Sequence, residues 1–173
     1  MARTTNPQYP PLLLRYLKMF QEDPTSRIFA PLSEAYRKLG LVDDAIEICL
    51  EGMAANPGFV GGRVALARAY GDKGLDQDVH DALAPVIDQI PDNLVAQKLF
   101  AQSCLRLGEG GKALSALKLV LYFNPDDAQV RSMVQELETQ SIQGGGLLRG
   151  DRGRRIARLQ GLLQRVQARQ NLY

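Results

Sequence analysis

The stretch that decides the fold is residues 32–57, LSEAYRKLGLVDDAIEICLEGMAANP. A Leu-Gly pair interrupts it near the middle, an Asn-Pro pair closes it, and looser copies occur twice downstream. Two marker residues recur with a period of 34 residues: Gly40, Gly74 and Gly108, and Pro57, Pro91 and Pro125. Because two independent markers keep one period, the sequence indicates an array of repeated units.

Each unit reads as two helices joined at its glycine. In the first unit Ser26 is a candidate N-cap, and Gly40 supplies the backbone freedom that a helix C-terminus needs. Asp43 and Asp44 suit the N-terminus of the second helix, which must end before Pro57. The predicted apolar faces are Phe29, Leu32, Tyr36 and Leu39 in the first helix, and Ala45, Ile46, Cys49, Leu50 and Met53 in the second.

The period divides the chain into repeats at residues 26–59, 60–93 and 94–127. Residues 1–25 contain an orphan helix over 10–22, and residues 128–140 predict a lone helix of a partial repeat. We therefore expect eight helices, followed by a Gly-rich linker at 141–153 and an Arg-rich amphipathic helix at 154–171. Pro85 lies inside the second helix of the middle unit and should kink or shorten it.

The three units resemble tetratricopeptide repeats (TPRs), which are 34-residue helix–turn–helix units. The first unit places these residues in the family pattern: Phe29, Leu32, Ser33, Tyr36, Ala45, Cys49 and Pro57. Later units depart from it, with Arg63 and Gln97 for the leading aromatic, Val79 for the second-helix alanine and Cys104 for the tyrosine. The resemblance implies an all-α protein, a right-handed α-solenoid of TPR hairpins with a C-terminal amphipathic helix.

The resemblance also implies a concave groove lined by the first helix of each unit. The residues expected to bind a partner there are Arg27, Glu34, Arg37, Lys38, Arg68, Lys98, Gln102 and Arg106. Some family members grip the C-terminal carboxylate of a peptide with a set of Lys and Asn residues, but Glu34 and Arg68 occupy the places where asparagines would be needed, so that clamp is absent. The surplus of cations suggests an acidic or amphipathic segment of a partner protein as ligand; ordinary solvated charges are the alternative.

Neither catalysis nor a cofactor is expected from this sequence. His80 is the single histidine, and Cys49 and Cys104 are the only cysteines, each on an apolar helix face. Zinc ligation of the usual Cys/His kind is therefore not expected, and the thiols are read as buried and free. The apolar runs are too short for a membrane span or a signal peptide, which suggests a cytoplasmic protein.

The C-terminal residues differ in charge from the rest of the chain. Residues 144–173 hold seven arginines and Asp151, a net charge of +6, while the remaining residues have 14 bases and 18 acids, a net charge of −4. Ile156, Leu159, Leu163 and Val166 form a stripe at helical spacing. The predicted contacts of this tail are Arg154, Arg158, Leu159, Leu163, Arg165 and Val166.

Four roles for this tail remain open from the sequence. It could cap the last repeat, form a homodimer, dock on a partner protein, or bind nucleic acid or an anionic membrane surface, the least favoured role. The expected function is a non-catalytic protein-binding scaffold, of the kind that bacterial members supply to polarity, motility, pilus and secretion systems. The alternative is a nucleic-acid or membrane-surface binder that acts through the tail.

Overall fold

The computed structural model describes residues 9–143, and the regular structure in that range is helical throughout. The α-helices are α1 Pro11–Glu22, α2 Phe29–Lys38, α3 Val42–Ala55, α4 Val60–Lys73, α5 Asp76–Leu83, α6 Leu94–Arg106, α7 Gly110–Phe123 and α8 Ala128–Gln143. A 3₁₀ turn, Ile87–Gln89, lies between α5 and α6. The described residues form two compact units, one up to Leu83 and one from Ala84 onward. We call these the first unit and the second unit, and the 34-residue elements repeats.

The three periodic glycines have a backbone conformation that other residues rarely adopt. The φ angles of Gly40, Gly74 and Gly108 are 76°, 71° and 77°. At the first of them, the N–H of Leu41 donates to the carbonyl of Tyr36 at 3.0 Å, a bond that closes the helix end. The same bond recurs one and two periods later. Glycine has no Cβ and adopts this left-handed conformation without strain, which explains the period.

In the first unit the core forms where α1, α2, α3 and α4 meet. Phe29 is fully buried between two helical glycines, Gly52 on α3 and Gly62 on α4. Its ring also meets the Phe59 ring edge-on, with 5.7 Å between centroids. The remaining core residues are Leu13, Leu17, Phe20, Leu32, Tyr36, Ala45, Ile48, Cys49, Leu66 and Ala69.

Three local expectations for the first repeat are wrong. Ser26 does not cap α2, which begins at Phe29 without a side-chain cap, and the Ser26 hydroxyl has no hydrogen-bond partner. Leu39 and Leu50, expected on apolar faces, are exposed. Leu39 follows the last residue of α2, and in α3 the buried face is centred on Ile48 and Gly52.

Helix α1 packs as the orphan second helix that the sequence predicts, but in a shifted register. Its buried residues Leu13, Leu17 and Phe20 precede the buried α3 residues by 32 residues instead of 34. The connections that follow the two helices also differ in length, with six residues at 23–28 before α2 and four at 56–59 before α4.

In the second unit, a buried side chain donates hydrogen bonds to backbone carbonyls that lie beyond the helix that Pro85 ends. Helix α5 stops at Leu83, and the chain continues as the 3₁₀ turn. Gln97 is 1% exposed, and its Nε2 donates to the carbonyls of Ile87 at 3.1 Å and Ile90 at 3.3 Å. The Ile87 carbonyl also accepts from the N–H of Ile90, and the Ile90 carbonyl from the N–H of Asn93, so the amide supplies a second donor to each carbonyl. The aromatic ring of the family pattern could not do this.

Two predicted boundaries differ from the structure. The repeat expected at 60–93 is divided between the two units after Leu83, where α5 ends ahead of Pro85. Helix α8 continues to Gln143, so the first three residues of the linker expected at 141–153 are helical. The rest of that linker and the helix expected at 154–171, including all the predicted tail contacts, lie outside the described residues.

Candidate functional site

In the first unit, α2 and α4 bring four charged side chains into one network. Arg37 donates to both carboxylate oxygens of Glu34, from Nε and Nη2, each at 3.0 Å. Its Nη1 donates to Oδ2 of Asp72 on α4 at 2.7 Å. Arg68, also on α4, places Nη2 3.2 Å from Oε1 of Glu34. We call these residues, together with the neighbouring Lys38, the first-helix face.

The two arginines of the network differ in exposure and in the number of carboxylates that they contact. Arg37 is 19% exposed and has two carboxylate partners, whereas Arg68 is 36% exposed and approaches one. The hydrogen bonds from Arg37, followed by the charges of Arg68 and Lys38, hold the pKa of Glu34 below its usual value against the opposing effect of burial. Hydrogen bonding to Glu34 likewise raises the pKa of Arg37. Glu34 is therefore ionised at neutral pH.

The predicted residue Arg27 has a different role from the others in the first unit. It lies before α2 and is exposed, with its guanidinium carbon 5.0 Å from the centroid of the Phe59 ring. This distance is within the range of a cation–π interaction. Arg27 thus covers the ring that packs on Phe29.

In the second unit, the predicted residues Lys98, Gln102 and Arg106 all belong to α6. The Lys98 ammonium donates to Oδ2 of Asp127 at 2.5 Å, and this bond lowers the pKa of Asp127. Asp127 also accepts from the N–H of Val130 at 3.1 Å, so it caps α8. Gln102 and Arg106 are exposed.

The sequence-based list missed two acids that pair with predicted cations, Asp72 and Asp127. Asp72 lies 34 residues after Lys38 and 34 before Arg106, both of which are predicted to line the groove. The 34-residue period alone could have identified Asp72, since this residue occupies the same place in its repeat as Lys38 and Arg106 do in theirs. With Asp72 and Asp127 included, the predicted groove carries much less excess positive charge than the sequence suggested.

Both cysteines are buried, as the sequence predicts. Burial raises the pKa of the Cys49 thiol to about 11 and that of the Cys104 thiol to about 12. A reactive cysteine needs a low pKa and solvent access, and neither thiol has them.

Comparisons with known proteins bear on the fold. The sequence matches no protein-family model and no curated protein. The structure of MamA is similar, with a TM-score of 0.65 and 18% identity over 90% of this chain and 89% of that one. This chain has the tetratricopeptide-repeat fold. A thermophilic TPR protein of Thermus thermophilus, TTC0263, gives a TM-score of 0.57 at 18% identity, covering 76% of this chain and 73% of that chain.

A third similar structure is YrrB, described as a TPR protein with an unusual peptide-binding site. Its TM-score is 0.67 at 10% identity, over 86% of this chain and 73% of that one. At these identities the likeness establishes the fold. It confirms the expected all-α TPR solenoid, and the C-terminal helix of that expectation lies outside the described residues.

Within residues 9–143, no helix is both long enough and apolar enough to cross a bilayer.

Proposed function

We propose that the protein is a non-catalytic scaffold that holds a segment of a partner protein on its first-helix face. The TPR fold supports this proposal, and the similar structure of YrrB has a peptide-binding site. The ligand that we propose is an acidic or amphipathic segment. We place the scaffold in the cytoplasm, in a bacterial polarity, motility, pilus or secretion system.

The observation that carries the proposal is the difference between Arg37 and Arg68 in exposure and in the number of carboxylate partners. Arg37 is held by two carboxylates and ties α2 to α4, so it positions the face. Arg68 is more exposed and contacts Glu34 alone among the described ion pairs of the first unit. A ligand carboxylate can accept hydrogen bonds from Arg68 while Glu34 keeps the guanidinium oriented. Lys38, exposed on the same face, adds a second positive charge.

The test reverses the charge of Arg68 on the face together with that of Lys98, the predicted groove residue of the second unit, and compares this with reversal elsewhere. Full-length protein, the R68E/K98E variant and the control K18E are used to capture partners from native lysate. Peptides that cover the sequence of the captured protein are then prepared, and the affinity of each peptide for the three proteins is measured by fluorescence anisotropy. Lys18 is a suitable control because its side chain on α1 is 78% exposed and its ion-pair partner is Glu22 of the same helix.

We expect the R68E/K98E variant to lose the partner and K18E to retain it. Equal binding by all three proteins would refute a role for this face. A salt titration separates the nucleic-acid alternative, because phosphate-driven affinity falls steeply with ionic strength. We also propose that the chain associates with itself through residues 154–171.

A further inference from the structure

We infer that the first-helix face binds an amphipathic segment that carries a single carboxylate, and that it discriminates against segments with several adjacent acids. The inference deepens the proposed function and rests on it, because it narrows the ligand class of the same face. Two observations carry it. The face neutralises most of its own charge, and apolar side chains lie one helical turn before the charged ones.

The first-helix face holds nearly as many acids as bases. Its bases are Arg37, Lys38 and Arg68, and its acids are Glu34 and Asp72. Three positive charges and two negative ones leave a net charge of +1. A ligand with one carboxylate would balance that charge, whereas a run of acids would make the occupied face negative. The sign of the net charge therefore favours an anionic ligand, and its size favours a single carboxylate.

Arg68 can bind this carboxylate although it already has a partner. Its Nη2 lies 3.2 Å from Oε1 of Glu34, and the same oxygen accepts from Nη2 of Arg37 at 3.0 Å. A guanidinium has five N–H donors, and one approach to a shared oxygen uses few of them. The Arg68 side chain is 36% exposed, so a ligand carboxylate can reach the remaining donors while Glu34 stays in place.

Glu34 limits what else can bind beside Arg68. Both of its carboxylate oxygens accept from Arg37, each at 3.0 Å, so this negative charge is fixed on the face. A second ligand carboxylate next to the first would approach that fixed charge, and like charges placed close together oppose binding. Glu34 thus has two effects: it orients Arg68 for one carboxylate and it repels acid-rich segments.

The apolar part of the ligand is accommodated one turn earlier on the same two helices. Ala30 and Val64 precede Glu34 and Arg68 by four residues, and both are half-buried. They are equivalent positions of successive repeats, as are Glu34 and Arg68, which lie in contact. We call Ala30 and Val64 the apolar margin. An apolar ligand side chain can pack on this margin while the carboxylate reaches Arg68.

The spacing of these positions predicts the spacing of the ligand residues. Four residues of a helix advance about 6 Å, which is roughly the length of two residues in an extended segment. The acid and the apolar residue of the ligand should therefore lie about two positions apart in an extended segment, or about four apart in a helical one.

The first part of the experiment selects ligands without assuming a partner. A library of random peptides displayed on phage is panned on the full chain, and peptides that also bind R68A are removed. Sequencing then gives the number of acids in each peptide that needs Arg68, and their distance from the nearest apolar residue. We expect a single Asp or Glu with an apolar residue at the spacing given above.

The second part measures how acids change affinity. Selected peptides are synthesised with one acid and with a second acid added beside it, and their binding to wild type, E34Q and E22Q is measured by fluorescence anisotropy. We expect the second acid to weaken binding to wild type and E22Q by about threefold, within the range for one exposed charge pair. With E34Q, the second acid should leave binding unchanged or strengthen it. E22Q is the matched control because it removes the same charge from α1, where Glu22 pairs with Lys18.

A third variant tests the apolar margin. V64A shortens the apolar side chain without changing charge and should weaken binding of the one-acid peptides by about threefold or more, because less apolar surface is buried. Thermal melting by circular dichroism establishes that each variant is folded.

Three outcomes would overturn the inference and leave the proposed function standing. The first is a run of acids in the peptides that need Arg68. The second is an equal response of wild type and E34Q to the second acid, and the third is binding by V64A as tight as that of wild type. If no selected peptide needs Arg68, the proposed function itself is refuted, and this inference with it.

Discussion

Replacing Gly52 with alanine should destabilise the protein, although alanine is the better helix former. Gly52 lies within α3, against the fully buried ring of Phe29. A Cβ at this position would lie 2.1 Å from Cγ, 2.2 Å from Cδ1 and 2.6 Å from Cβ of Phe29. Because these atoms are near the Phe29 backbone, rotation of the ring cannot relieve the clash.

Two opposing contributions set the size of the effect. Glycine to alanine inside a helix gains about 1 kcal/mol of helix propensity. Overpacking a well-filled core typically costs about 1–3 kcal/mol, and contacts this short lie at the upper end of that range. We expect a net loss of about 2 kcal/mol in the free energy of unfolding, a decrease of about 4–8 °C in Tm for a chain of this size.

The matched control is Gly110→Ala at the start of α7. A Cβ there meets nothing within 4 Å, so this variant should be unchanged or more stable by up to about 1 kcal/mol. Urea unfolding of both variants, and of Gly52→Ala combined with Phe29→Leu, measures the coupling. We expect the smaller side chain to remove at least about 1 kcal/mol of the penalty. Stability of Gly52→Ala equal to that of wild type would refute the proposed packing.

Two other predictions concern buried polar groups. Gln97→Leu should cost about 1–2 kcal/mol in urea unfolding, because the carbonyls of Ile87 and Ile90 each lose a donor; an unchanged midpoint would show that the amide contributes nothing. Cys49 and Cys104 should react with a thiol reagent only on unfolding. Their raised pKa means that only the unfolded thiols ionise as pH increases above about 9, so the free energy of unfolding should fall there, and a C49A/C104A variant should lose that slope.

The sequence by itself determined the helical array, because its determinants are local. Gly40 and its two periodic equivalents must end helices where the chain turns left-handed, and the structure gives all three a positive φ. Pro85 lacks a backbone donor and clashes with the preceding turn, so the early end of α5 was predictable without knowledge of its neighbours. The orphan helix α1 followed from its apolar spacing alone, and its bounds of Pro11–Glu22 agree with that pattern.

The tertiary structure alone decided which side chains meet. The pairing of Arg37 with Asp72 joins residues 35 positions apart, and helical periodicity contains no information about such a pair. The exposure of Leu50 and the burial of Ile48 depend on how α3 is rotated about its axis in the packed unit, where Phe29 requires a glycine opposite its ring. Hydrophobic spacing identifies the helix, but the rotation of that helix is set by close packing, in which the shapes of residues distant in sequence must fit together.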